Sequence, residues 1–155
     1  MSTGGTILSW GLIFSIAFGP LVYFYFWSNQ KKRRIIRLLN NAAVKHKLDL
    51  KKTETWNDKG IGYDKANKSL IYVSMANNSI SVIHIRMAEV RNIQLINDPS
   101  IVAIQFKKKN NKVVDLVFYN DMFEQALNSE VTAVIARRWH LYLKNEIKHK
   151  PLLAA

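Results

Sequence analysis

The first thirty positions of this chain contain no Lys, Arg, Asp or Glu, and a dense basic run follows immediately. No other feature restricts the possible folds as strongly. Residues 7–27 read ILSWGLIFSIAFGPLVYFYFW, uncharged and mostly apolar. As a helix, these positions would span roughly 31 Å, the thickness of a bilayer's hydrocarbon core. A cleaved secretory signal has a basic start, a shorter apolar run and a small-residue cleavage site. Here the start, MSTGGT, is uncharged, and the apolar run ends in aromatics and cations. The expectation is therefore a single-pass transmembrane helix over 7–27, after a short extracytoplasmic segment over 1–6.

Charge distribution sets the expected orientation. From Lys31 to Lys52 there are nine basic residues and one acid, Asp49, a net of +8 out of the chain's +12. Positive residues beside a membrane span stay on the cytoplasmic side. Lys31, Lys32, Arg33, Arg34 and Arg37 then predict an inner-membrane protein with its C-terminal domain inside, and these cations are the expected contacts for anionic headgroups. Tyr23, Tyr25 and Trp27 suit the inner aromatic belt and Trp10 the outer one. Gly11, Ser15 and Gly19 recur every four residues, a small-residue stripe along which a second membrane helix can approach, and Pro20 is expected to kink the helix.

Residues 28–50 form a basic juxtamembrane segment. Ile35, Leu38, Leu39 and Ala42 fall on one helical face, and the Asn40-Asn41 pair is expected to mark a hinge. Two arrangements stay open for this segment, a stalk leaving the membrane or a helix lying on the headgroups.

Beyond residue 50 the pattern changes to short apolar runs separated by turn formers. Strands are expected over Lys52–Trp56, Gly60–Tyr63, Ser69–Met75, Ile80–Ile85, Val90–Ile96, Ile101–Phe106 and Val113–Tyr119. Val102, Ile104 and Phe106 alternate with Ala103, Gln105 and Lys107, and the next run puts Val114, Leu116 and Phe118 on one face. No crossover helix interrupts these strands, so antiparallel pairing is expected. A closing helix follows, with Ser129 as its N-cap, an apolar stripe of Val131, Val134, Ile135, Trp139, Tyr142 and Leu143, and Pro151 at its end. The domain is expected over 51–150, with a tail at 151–155.

The stretch from Gly60 through Asp64 and Lys68 to Val73, together with Ala136, Trp139, Leu143 and Ile147, resembles the small bacterial pleckstrin-homology-like domains. The likeness covers roughly residues 52–149. It implies a bent antiparallel β-barrel closed by a C-terminal helix, and binding of lipids, peptides or proteins rather than catalysis. Phosphoinositide-binding members carry a basic cluster in the first hairpin. Here Lys59 stands nearly alone between Thr53 and Tyr63, so that specificity is not implied.

Catalytic signatures are missing from the sequence. Cysteine is absent, which removes disulfides, thiolate metal sites and a Cys nucleophile. His46, His84, His140 and His149 are scattered without ligand spacing. Gly60-x-Gly62 lacks the third glycine and helix of a dinucleotide site and reads as turn geometry. Neither an enzyme nor a cofactor is expected. Lys107, Lys108, Lys109 and Lys112 surround the Asn110-Asn111 turn as a possible partner-binding tip. The expected function is a membrane-tethered scaffold or protein- and lipid-binding module. Its alternative is an accessory subunit, or homo-oligomer, packed through the membrane helix. Nucleic-acid binding is a weaker third reading.

Overall fold

The computed structural model describes residues 30–76, 79–124 and 129–148. Helix α1, described over 30–45, is followed by seven strands: β1 (Lys52–Trp56), β2 (Lys59–Asp64), β3 (Ser69–Ala76), β4 (Ser79–Arg86), β5 (Val90–Asn97), β6 (Ile101–Lys108) and β7 (Val113–Asn120). Helix α2 (Ser129–Lys148) closes the described chain. Each strand lies within two residues of its expected bounds.

The expected fold is corrected on two counts. The strands do not form a barrel: β1-β2-β3-β4 make one antiparallel sheet and β5-β6-β7 a second. A 3-10 turn, Met87–Glu89, separates β4 from β5 and redirects the chain between the sheets. In addition, no helix among the described residues is long and apolar enough to cross a membrane. The transmembrane span placed at 7–27 lies outside the described residues, as do Gly11, Ser15, Gly19 and the tail.

The two sheets face each other across one core. Alternation along the strands, with period two, sends Ile61, Tyr63, Leu70, Tyr72 and Ile85 inward from the larger sheet. Ile93, Ile104, Phe106, Leu116 and Phe118 meet them from the smaller one. Side-chain hydrogen bonds join the sheets where backbone pairing does not. Val102 pairs with Tyr119 and Ala103 with Val117, leaving Phe118 as the extra residue of a β-bulge. Its carbonyl accepts from Trp56 Nε1 at 3.2 Å, and the neighbouring Val117 carbonyl accepts from the Tyr72 hydroxyl. The Trp56 and Phe118 rings stack at 4.6 Å.

Helix α2 covers an open side of this sandwich with Thr132, Ile135, Ala136, Trp139 and Leu143. The stripe is rotated from expectation, because Val131 and Val134 are exposed while Thr132 and Ala136 are buried. Trp139 Nε1 donates to Glu54 Oε2 at 2.7 Å, and Arg138 pairs with the other Glu54 oxygen. These bonds fix the helix to β1.

A second, smaller core lies on the outer face of the larger sheet. Ile35, Leu39, Ala42 and Ala43 of α1 pack on Ile71 and Val73, with Leu48, Leu50 and Met75 at the margin. The helix is therefore docked on the sheet from Ile35 to Ala43 and runs through Asn40-Asn41 without a hinge. Gly60 makes the docking possible, and Gly62 accommodates the chain just after the helix. A Cβ on Gly60 would lie 2.7 Å from Ile35 Cγ2, and one on Gly62 2.6 Å from Leu50 Cδ1. These glycines sit within β2, so their turn assignment is corrected; Gly60 permits close approach of α1, and Gly62 makes room for Leu50 beyond it.

Helix α1 stops where the chain folds back on itself. Leu48 N donates to Ala43 O at 2.9 Å and Lys47 N to Val44 O at 3.0 Å, with Lys47 in the left-handed region at φ 55°. This is a Schellman stop with Lys where Gly is usual.

Candidate interaction surfaces

The strands run between two ends of the domain, and each end collects a separate set of loops. The first end holds the described start of α1, the β1–β2 turn, the end of β3 and the start of β4, the β5–β6 turn and the residues just after β7. Lys31 Nζ lies 3.7 Å from Asp58 in the β1–β2 turn, and Met75 N donates to Asp58 O at 2.8 Å. The opposite end holds the β2–β3 turn, the 3-10 turn and the β6–β7 hairpin tip. There Met87 N donates to Lys68 O and Lys109 N to Glu89 O.

The two basic clusters read from the sequence consequently lie at opposite ends. Lys31, Lys32, Arg33, Arg34 and Arg37 are exposed on α1. Lys107, Lys109 and Lys112 are exposed at the hairpin tip, while Lys108 is committed to Glu89, 3.0 Å away. Eight-residue strands separate the ends, about 25 Å at the usual rise per residue. One flat surface cannot touch both clusters edge-on.

Between the clusters, the outer face of the smaller sheet is polar and open. Asn92, Gln94, Gln105, Lys107 and Val113 line a shallow depression of about 230 Å³. Among the described residues, no group of three or more His, Asp or Glu side chains is arranged to hold a metal ion. Trp56, Tyr72, Phe106 and Phe118, the aromatics a nucleic-acid platform would need outside, are core residues.

Two polar sites were not legible in the sequence. Asp64 is buried at the start of the β2–β3 turn, where its carboxylate accepts from Asn67 N at 3.0 Å, Asn67 Nδ2 at 2.7 Å and Asp49 N at 2.8 Å. Burial alone would raise its pKa. The bonds from Asn67, Asp49 and Ala66 outweigh burial and hold the carboxyl below its ordinary value. The other site is a histidine pair. His46, just past α1, lies with its ring centroid 4.2 Å from that of His84 on β4. His84 Nε2 is buried and has no hydrogen-bond partner among the described residues. Burial, followed by repulsion from His46 and Arg86, pushes the His84 pKa down despite the attraction of Glu89. The sequence signal for Asp64 was a turn-forming Asp; nothing in the spacing of 46 and 84 linked the two histidines.

The Met122-Phe123 pair was also missed. It follows β7 in a tight loop and is exposed at the first end of the domain.

No protein-family model, no curated protein and no solved structure matches this chain.

Proposed function

We propose that the chain is a non-enzymatic binding module working at the cytoplasmic face of a membrane, with one end turned to the lipid and the other toward a partner. The observation that carries this reading is the separation of two exposed basic clusters to opposite ends of one small domain. The start of α1 follows directly on the uncharged residues 7–27, so the cations at 31–37 are the ones placed for anionic headgroups. The hairpin tip at 107–112 then points away from the lipid, where an acidic segment of a partner can reach it. The resemblance to pleckstrin-homology-like domains, whose members usually bind and rarely catalyse, supports a binding role, although the barrel it implies is replaced by two sheets ahead of the C-terminal helix. Ala136, Trp139 and Leu143, which carry part of that resemblance, are fully buried.

The test is fractionation of cells expressing the full chain with a C-terminal reporter. The reading expects the chain in the inner-membrane fraction and the reporter active only inside. Recovery in the soluble fraction, or a reporter reached from outside, would refute it.

A specific observation also favours the accessory-subunit reading. Val131, Val134 and Leu141 form an exposed apolar strip on the outer side of α2, the kind of surface a neighbouring subunit covers. Sizing after mild detergent extraction separates the two readings: the subunit reading expects a stable larger assembly, and a lone monomer contradicts it.

A further inference from the structure

The basic start of α1 shares its end of the domain with an exposed apolar pair. A chain of polar contacts links them. Lys31 meets Asp58; from the same turn, Asn57 Nδ2 donates to Glu124 Oε2 at 2.9 Å and Lys59 pairs with Glu124 Oε1. Glu124 lies in the tight turn that follows β7. In that loop Met122 N donates to Asn120 Oδ1 at 3.0 Å. Phe123 N and Glu124 N both donate to Asn120 O, and Asp121 N donates to Ser100 O. The loop backbone is thus fixed from both sides. It holds Met122 and Phe123 outward, 82% and 64% exposed. Large apolar side chains are ordinarily turned inward when the chain allows it. Ile80, half-exposed opposite Met75 at the start of β4, adds a third apolar group at this end.

We propose that this end is a membrane-contact face, with Met122 and Phe123 dipping into the interfacial region of an anionic bilayer while Lys31, Lys32, Arg33 and Arg34 lie over the phosphates. The proposal rests on the membrane reading above and names the surface that would touch the lipid. Apolar tips beside exposed cations match a bilayer interface, which is apolar beneath and anionic above. A groove in a protein partner would not require cations spread along the first turns of a helix. Acids at this end are mostly committed: Asp58 meets Lys31, Glu124 pairs with Lys59 and Asn57, and Asp98 accepts from the Ser100 hydroxyl and amide.

The absence of cysteine makes single-thiol variants clean probes. Met122→Cys and, as the opposite-end control, Lys112→Cys are each labelled with an environment-sensitive fluorophore in the full chain. Both replace exposed side chains, and circular dichroism verifies that the fold is kept. The labelled chains are reconstituted into phosphatidylglycerol–phosphatidylcholine vesicles, with or without brominated acyl chains, and floated. The proposal expects blue-shifted emission at position 122, with quenching by bromolipid at least about twofold stronger there than at position 112. Vesicles that float with the chain while the label at 122 stays in water, or is quenched no more than that at 112, would overturn the contact face and leave the membrane reading intact. Emission at 122 already shifted without lipid would assign the pair to a protein contact and equally overturn the proposal. A chain that does not float at all would remove both.

Discussion

Replacing Gly60 with alanine puts the docking of α1 under direct strain. The added Cβ would lie 2.7 Å from Ile35 Cγ2, which is 0.7 Å inside the shortest ordinary contact of 3.4 Å. Ile35 is only 1% exposed, and a β-branched side chain in a helix has one strongly preferred rotamer. Its Cγ2 moves only if the helix moves. Gly62→Ala is the instructive contrast. Its Cβ would come as close, 2.6 Å, but to Leu50 Cδ1, the far end of a flexible, half-buried side chain outside the helix. Overpacking of a filled site costs about 1–3 kcal/mol. Against this, removing a glycine from the unfolded chain returns roughly 0.4–1 kcal/mol. Gly60→Ala is therefore expected to be net destabilising by about 1–2 kcal/mol, and Gly62→Ala close to neutral. Hydrogen exchange by mass spectrometry on the full chain reads the effect locally. Amides of residues 35–45 should exchange faster in Gly60→Ala, while β6 and β7 keep their protection. Ile35→Ala combined with Gly60→Ala should cost less than the sum of the two single changes, because the clash disappears with the methyl. A Gly60→Ala chain as protected in α1 as the original would refute close packing as the role of this glycine.

Three further outcomes follow from the polar sites. Glu54→Ala leaves the buried Trp139 indole N–H without an acceptor, so denaturant unfolding should show a loss of about 1–3 kcal/mol, with Glu54→Gln recovering much of it. The Asp64 carboxyl titrates below 3.8 in the folded chain, so its contribution is complete above that pH and is lost as pH falls through the lowered value; in acid titrations followed by circular dichroism, Asp64→Ala should show a shallower loss of stability below 3.8 than the original chain. His84 is held below 6.5 by burial, then by His46 and Arg86 and more weakly by Lys108, with Glu89 opposing. The unfolded chain takes up this proton first, so stability is full above 6.5 and declines as pH falls toward the lowered value; protection at residues 42–48, corrected for the intrinsic pH dependence of exchange, should fall over that range, and His84→Phe should lessen that fall.

Much of the strand layout was legible because alternation is a local property. Val102, Ile104, Phe106, Leu116 and Phe118 face the core as their spacing implies. What the spacing did not carry was relational. Division into two sheets falls at the 3-10 turn Met87–Glu89, and the smaller sheet carries a bulge at Phe118; neither has a periodic signature. The stop of α1 was not legible because Lys47, not Gly, takes the left-handed position, and the hinge expected at Asn40-Asn41 is instead continuous helix. The rotation of α2 follows from burial of Thr132 and Ala136, a polar and a small residue that a hydrophobic stripe passes over. For the interaction surfaces, sequence revealed both basic clusters, but only the fold shows that they point in opposite directions. Met122-Phe123 was passed over as loop because nothing in a linear pattern indicates that hydrogen bonds to Asn120 and Ser100 hold it outward.

That opposite placement can be measured without reference to any partner. Spin labels at Lys32→Cys and Lys112→Cys, in a chain with no other thiol, report the separation of the basic clusters by electron–electron double resonance. The structure predicts one dominant distance of about 25–40 Å, set by a strand length plus the label arms. A dominant distance below about 20 Å would place both clusters on one side of the domain, and the division into a lipid-facing and a partner-facing end would fail.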